Sequence, residues 1–456
     1  MKLSKFCVIM EAPSNLYPQA HNMLLIYNTL TKAAHLLSRP QFEGLCNYLD
    51  GIEAQDAGLN ISDLKEDMIV VDNNTDEDLV FEHLYNQKKF RADDLKLIVA
   101  PTTNCNLRCL YCFEENIAKT NMEANVEKQI PVFLKENYLE GIRHATVTLH
   151  GGEPLLFPSL TFRIMDSLNS LFMDRHVKYR YNMVTNGTTL SRDNANKLVK
   201  RGLEFVQITI DGCKEYHDLR RIDVNGRGTF DKIVKNIQET IDVIPNIAIR
   251  ISVDKHNHNL DQMKNLIDYL SCTGIKDKLS EIYFSPIVET TDCNKHSSQY
   301  AFGFEHASET LNMLSDWLAQ QGIRPLDESN YSPCWAHSNN SIIINADGAL
   351  YKCISLIGRK NYSVGDVFSG LNMNYVHFVN VNRWKACLKE GCPYVPICAG
   401  SCHFDSVVQF DSIMRRSCRK TLIEGHWMHI LKKGIMETYR TKGMSGAGNI
   451  NSAKTL

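Results

Sequence analysis

Three cysteines stand close together in the stretch CNLRCLYC: Cys105, Cys109 and Cys112. Three thiolates on one tight loop can hold three irons of a 4Fe-4S cube and leave the fourth iron without a protein ligand. Such an open iron can bind a small molecule. Zinc is the structural alternative, but structural zinc takes four ligands, usually as two pairs, and the loop has no nearby histidine. Seven more cysteines crowd the C-terminal part: Cys334, Cys353, Cys387, Cys392, Cys398, Cys402 and Cys418. The other five, Cys7, Cys46, Cys213, Cys272 and Cys293, are scattered and read as small hydrophobes or inert thiols.

Such thiols need a reducing compartment. The apolar run Phe6–Met10 is too short for the core of an export signal, so a cytoplasmic location is expected, where disulfides are rare. The chain has 456 residues, enough for two to four domains, with 43% hydrophobic and 22% charged residues. Its net charge of −2 leaves no basic excess that calls for nucleic acid. No run of about 18 apolar residues is present, so no membrane span is expected.

The elements that must position the first three cysteines alternate. Leu97–Ala100, Ala145–Leu149, Tyr179–Val184, Phe205–Ile210, Ile247–Val253 and Ile282–Ile287 read as six strands. Between them Phe230, Ile233, Val234, Ile237 and Ile241 lie on one face of a helix, with Thr229 as its N-cap. Strand–helix alternation implies an α/β fold with a parallel sheet and right-handed crossovers. Six units fall short of a complete eight-stranded barrel. A partial (β/α)6 barrel is therefore expected, with its site at the C-terminal ends of the strands. Residues 1–92 break the rhythm: strand-like Phe6–Met10 and Met23–Tyr27 precede helical Phe42–Leu49 and Asp63–Asp67, then Met68–Val71 and a connecting helix Glu77–Gln87. They read as a small α+β module. The stretch from Lys442 to Leu456 is rich in Gly, Ser, Asn and Lys and is expected to be a flexible tail.

With Cys105, Cys109 and Cys112 following the first strand of a (β/α)6 region, and Tyr111 just before the last Cys, the chain resembles the radical S-adenosylmethionine (SAM) superfamily. Further features stand in the matching order. His150-Gly151-Gly152-Glu153-Pro154 ends the second strand, Thr185-Asn186 the third, and Thr209 through Arg221 follows the fourth. The resemblance implies a SAM-binding 4Fe-4S cluster. It implies that Gly151, Gly152, Glu153 and Pro154 grip the amino group of SAM. The glycines allow close backbone approach and Glu153 offers a carboxylate to an ammonium. Tyr111 is expected near adenine. Thr185, Asn186, Thr209, Arg221, Arg250 and Ser252 are further candidate SAM contacts, with buried structural roles as the alternative for Arg250 and Ser252. The implied chemistry is reductive cleavage of SAM to a 5′-deoxyadenosyl radical that abstracts hydrogen from an unactivated carbon.

Cys334-x13-Gly348-x4-Cys353, then Cys387-x4-Cys392-x5-Cys398-x3-Cys402 and Cys418, resembles the SPASM extension of radical SAM enzymes that act on peptides and proteins. One spacing departs, x4 in place of the usual x2 between Cys387 and Cys392. Ser341–Ile344 and Ala349–Lys352 read as a hairpin with an Asp-Gly turn. The resemblance implies two auxiliary 4Fe-4S clusters with crossed ligation, three clusters in all. Cys387, Cys392, Cys398 and Cys418 hold one; Cys334, Cys353 and Cys402 hold the other, with His337, Cys293 or a substrate cysteine as its fourth ligand. Two zinc sites are the alternative.

The implied organisation is a leader-binding or merely capping module at 1–92 (PqqD-like, winged-helix), a barrel at 93–325, a SPASM region at 326–430, and a helix and tail at 431–456. The implied activity is a peptide maturase that forms a thioether or carbon crosslink in a ribosomally made precursor with a leader segment. Its electron donor would be a flavodoxin or ferredoxin type. A sulfatase-maturase type that forms formylglycine is the enzymatic alternative, although that type usually has eight cysteines in the extension. A non-catalytic iron–sulfur carrier or peptide-binding protein is the alternative of another class.

Overall fold

The computed structural model describes residues 1–13, 21–52, 58–289, 300–323, 334–441 and 448–449. Six parallel strands form its centre: Asp94–Val99, His144–Leu149, Lys178–Thr185, Leu203–Thr209, Asn246–Val253 and Glu281–Pro286, each paired with the next in chain order. Tyr181, Met183 and Thr185 alternate inward along the third strand, the two-residue period of a pleated chain. The helix Phe230–Thr240 buries Phe230, Ile233, Val234 and Ile237, the spacing expected of its core face. Thr229 precedes it, but its hydroxyl donates to the Arg221 carbonyl (2.7 Å), and Asp218 accepts from the Phe230 amide instead (2.9 Å). This is the expected partial barrel. Helices cover its outside, and the C-terminal ends of all six strands meet at one rim.

The sheet does not stop at the barrel. Ser341–Ile344 adds in parallel to the first strand, Ser341 opposite Lys96 and Ile344 opposite Val99. It turns back through Asp347-Gly348 into Ala349–Tyr351, and two short strands extend the sheet to ten. The hairpin is the one expected. Its place beside the first barrel strand was not, because a register with a strand 240 residues away leaves no local signal.

In the N-terminal segment Cys7–Glu11, Met23–Asn28 and Ala34–Ser38 form an antiparallel sheet. Ala34–Ser38 escaped the sequence reading. The helices expected next are present as Arg39–Leu49, Ile61–Glu66 and Glu77–Lys89, the first with a capping box between Ser38 and Gln41. One face of the sheet packs Ile26 and Leu37 under Leu45 and Leu64. The other packs Leu25, Tyr27 and Leu36 against Trp427, Leu431 and Met436 near the C-terminus. Gly448–Asn449 pairs with Ala34–Ser38; the rest of the expected flexible tail lies outside the described residues. Among the described residues no helix is long and apolar enough to cross a membrane.

Candidate functional site

Cys105, Cys109 and Cys112 occupy the loop that leaves the first strand at the barrel rim. Leu107–Cys109 pairs antiparallel with Arg221–Asp223, Cys109 opposite Arg221, so the loop is fastened to the turn after the fourth strand. The Leu107 amide and the Asn186 side-chain amide both point at Cys105 Sγ (3.4 and 3.7 Å), donors suited to a thiolate. Burial pushes Cys105 up to about 11 and Cys112 to about 12, and raises Cys109 as well. Repulsion from neighbouring thiolates adds to the shifts of Cys105 and Cys112. Bare thiolates are therefore disfavoured there at neutral pH. Metal ligation supplies the missing positive charge. Among the described residues no three His, Cys, Asp or Glu side chains gather around one point as a single ion would require. A cluster that gives each thiol its own iron fits this donor set better.

The GGEP segment lies against the lead-in to this loop. A Cβ on Gly151 would meet the Thr102 carbonyl oxygen at 2.3 Å, and one on Gly152 the Asn104 carbonyl oxygen at 2.3 Å. Gly151 also has φ +123°, open to glycine. Glu153 is fully buried and hydrogen-bonded within the chain. Its Oε1 accepts from the Leu155 amide (3.0 Å) and Thr185 Oγ1 (2.8 Å), and its Oε2 from the Asn186 amide (2.8 Å). It ties the second strand's exit to the third's. Burial nevertheless raises its pKa. The Pro154 carbonyl accepts from Thr161.

Tyr111 is likewise an anchor. Its hydroxyl donates to Asp211 Oδ2 (2.5 Å) and accepts from Arg221 Nη1 (2.9 Å), while the Arg220 guanidinium stacks 5.1 Å from its ring. Arg220 also pairs with Asp254 (2.6 Å), and Asn257 bonds the Asp211 and Ser252 carbonyls. Asp211, Arg220, Asp254 and Asn257 were missed as a network, because they come together only when the ends of the fourth and fifth strands meet. Thr209 and Ser252 are buried near it, and Arg250 reaches across to Ser285 (2.8 Å). A second unforeseen pair is Glu114 and His150, 3.7 Å apart. Burial lifts Glu114 to about 7 and lowers His150 to about 4. Glu114 directly follows the cysteine loop and His150 precedes the double glycine, a juxtaposition the order of motifs did hint at.

The remaining cysteines gather as two sets. Cys387, Cys392, Cys398 and Cys418 line one pocket, with Arg416 and Lys420 at its wall. Burial pushes Cys398 up to about 11, and Cys387 and Cys418 add to the shift. Arg416 Nη1 donates to Cys387 Sγ (3.2 Å) and pairs with Glu390. The Cys353 thiol is pushed up by burial and by Cys402 and Cys334 beside it. Ala399, Gly400 and Ser401 all have positive φ (49°, 82° and 101°), so the chain between Cys398 and Cys402 turns sharply from one set to the other. All of the described cysteines are free thiols. Cys293 lies outside the described residues. The buried His337 takes Tyr85 Oη at Nδ1 (3.1 Å) and lies 4.4 Å, ring to ring, from His403.

Residues 99–270 match the family model of the Radical SAM superfamily. The barrel thus carries a radical SAM domain. As in any radical SAM enzyme, SAM and a 4Fe-4S cluster are its implied cofactors. A cysteine-type anaerobic sulfatase-maturating enzyme from Clostridium novyi (strain NT) is 27% identical over 344 residues, covering 68% of this chain and 87% of the relative. The structure titled native anSMEcpe with bound AdoMet and Cp18Cys peptide shares the fold (TM-score 0.55, 18% identity, 77% of this chain and 99% of that one). So does Streptococcus suis SuiB bound to precursor peptide SuiA (TM-score 0.52, 15% identity, 92% and 99%).

Proposed function

We propose that this radical SAM enzyme is a peptide maturase that modifies a residue of a ribosomally made precursor, forming a thioether or carbon crosslink. The observation that carries this reading is the pair of C-terminal cysteine sets, against which the N-terminal segment packs through Phe81, Tyr85 and Trp384. The SuiB fold, solved with a precursor peptide, extends over 92% of this chain and so reaches into that segment. Residues 1–92 then receive the leader, residues 93–325 hold SAM, and residues 326–430 hold the auxiliary sites. The protein works in the cytoplasm with a flavodoxin- or ferredoxin-type donor.

Cys105, Cys109 and Cys112 would hold the SAM-binding cluster. Cys387, Cys392, Cys398 and Cys418 would hold one auxiliary cluster, and Cys334, Cys353 and Cys402 the other. When bound, the first cluster and SAM supply the one-electron chemistry that generates a carbon radical. The chain's own residues do the rest. Asn186 and the Leu107 amide set the charge on Cys105, Glu153 fixes the relative height of two loops at the rim, and Gly151 and Gly152 let the backbone approach the cysteine loop. Tyr111, held between Asp211 and Arg221, keeps that loop from shifting. Thr185, Asn186, Thr209, Arg221, Arg250 and Ser252 are the candidate polar contacts to SAM.

A formylglycine-forming activity is the second reading, favoured by the sulfatase-maturating relative. Co-expression with a short candidate precursor peptide, sought in the open reading frames adjacent to the gene, followed by mass spectrometry, tests the first. Loss of two hydrogens with a new crosslink supports it. Conversion of a lone Cys to formylglycine in a sulfatase-derived peptide, with the neighbouring peptide unmodified, supports the second. Anaerobic protein should bind about twelve irons, and replacing Cys105, Cys109 and Cys112 should lower that by about a third. Zinc in their place would remove the auxiliary clusters from the proposal.

A further inference from the structure

Arg383 is buried between the two C-terminal cysteine sets, 6% exposed, and makes no ion pair among the described residues. Its guanidinium is held by neutral oxygens: Nη1 donates to Ser406 Oγ (3.0 Å) and the Ile413 carbonyl (2.6 Å), Nη2 to the Ser401 carbonyl (2.9 Å). Its Nε has no hydrogen-bond partner among the described residues. Each contact leads to a cysteine. Ser401 sits in the left-handed turn that carries the chain from Cys398 to Cys402. Ser406 Oγ donates to the Cys402 carbonyl (2.9 Å), and Cys387 Sγ donates to Arg383's own carbonyl (3.9 Å). A Cβ on Gly400 would strike the Trp384 amide nitrogen at 2.5 Å, so the crossing turn lies directly on the Arg383–Trp384 backbone.

Burying a cation without an anion is costly. The other cations near the sets are placed differently. Arg416 is paired with Glu390 and Arg419 with Asp405, while Lys352, also bonded only to neutral oxygens, lies beside Cys353 and Cys334 of one set. Burial disfavours the charge of Arg383, and Cys402, Cys398 and Cys387 offset this. These thiols come from both sets. Thiolate-bound iron clusters carry net negative charge, which grows on reduction. A cation held at fixed distance from two such groups favours the reduced form of both.

We propose that Arg383 is a positioning residue shared by both auxiliary cysteine sets: it clamps the turn that joins them and its buried charge raises the reduction potentials of both clusters together. This rests on the auxiliary-cluster reading above. Two clusters raised in common stay close in potential, so one electron from the substrate side can pass between them.

The test uses full-length, anaerobically loaded protein in which Cys105, Cys109 and Cys112 are replaced by Ala, so that only the C-terminal sets report. Iron and sulfide content is measured first. Absence of iron here overturns the auxiliary-cluster reading itself, and Arg383 with it. With iron present, an EPR-monitored redox titration compares R383Q, R383K and the unaltered Arg383. R383Q should make both signals harder to reduce, by about tenfold at a fixed poise, or about 59 mV for a one-electron couple. R383K should restore most of the shift. Ser406→Asp, which leaves Arg383 in place and pairs its charge, should move both signals in the direction of R383Q; it decides the matter should R383Q fail to retain iron. Unmoved potentials in an iron-loaded variant, or movement of only one signal, would overturn the proposal.

Discussion

Replacing Gly152 by Ala adds one methyl group where the barrel rim has no room for it. An ideal Cβ there would lie 2.3 Å from the Asn104 carbonyl oxygen, 2.6 Å from its carbon and 2.7 Å from the Thr103 oxygen. All three are backbone atoms, so no side chain can swing away. Ordinary contact begins near 3.4 Å, and the two segments must therefore separate by about 1 Å. The φ of Gly152 is not in the left-handed region, so the effect is steric rather than conformational. Overpacking of this size costs about 1–3 kcal/mol. The displaced segment is Asn104, next to Cys105, and a shift of about 1 Å at a reacting centre is worth about 100-fold in rate. G152A should lower Tm by a few degrees and slow release of 5′-deoxyadenosine from SAM about 100-fold. Gly434→Ala is the control. Gly434 is exposed on a helix with nothing near its would-be Cβ, so this change should leave SAM cleavage alone and stabilise by up to about 1 kcal/mol. A G152A protein that cleaves SAM at the unaltered rate would refute the close approach of the two segments.

Asp254→Asn should destabilise by about 3–5 kcal/mol in denaturant titration, because it leaves the buried Arg220 with the more distant Asp211 alone (3.5 Å). Trp384→Ala should cost about 3–5 kcal/mol, and limited proteolysis should then open the N-terminal segment first, since Phe81 and Tyr85 lose their partner. His426 is lowered to about 4, chiefly by burial. Above the unfolded pKa near 6.5 it stays neutral in both states; as pH falls below that, only the unfolded chain takes the proton, and stability is lost. Relative to His426→Gln, the unaltered protein should therefore lose about 1.2 kcal/mol between pH 7 and pH 5.5, read from paired unfolding curves.

The six barrel strands and both cysteine groups are legible along the chain because each is a local pattern: apolar alternation in one case, fixed spacing in the other. Ala34–Ser38 is not, since its five residues include His35, whose ring pairs with Asp67, and Ser38, which serves as a helix cap. The partners of the Glu153 carboxylate are hidden for a related reason: beside the nearby Leu155 amide, they are Thr185 and the Asn186 amide at the next strand's exit, thirty-two and thirty-three residues on. Arg383 and Asp254 carry no motif, and the Thr209–Arg221 stretch does not announce the partners of Asp211 and Arg220. Their roles follow from which loops meet at the rim and at the crossing turn, and that is decided by packing over long separations.

The pairing of Ser341–Ile344 with the first barrel strand has a consequence for how such proteins are assembled from parts. A boundary near residue 325 divides the sequence by motif, but it does not divide the sheet. A barrel cut off there would present the first strand, Asp94–Val99, as a bare parallel edge, with the amides of Lys96 and Ala100 unpaired. Exposed apolar edges of this kind recruit other strands and aggregate. The C-terminal region thus serves as the barrel's own edge protection. Any attempt to transplant it onto another barrel must supply a first strand whose outer edge is free to receive it.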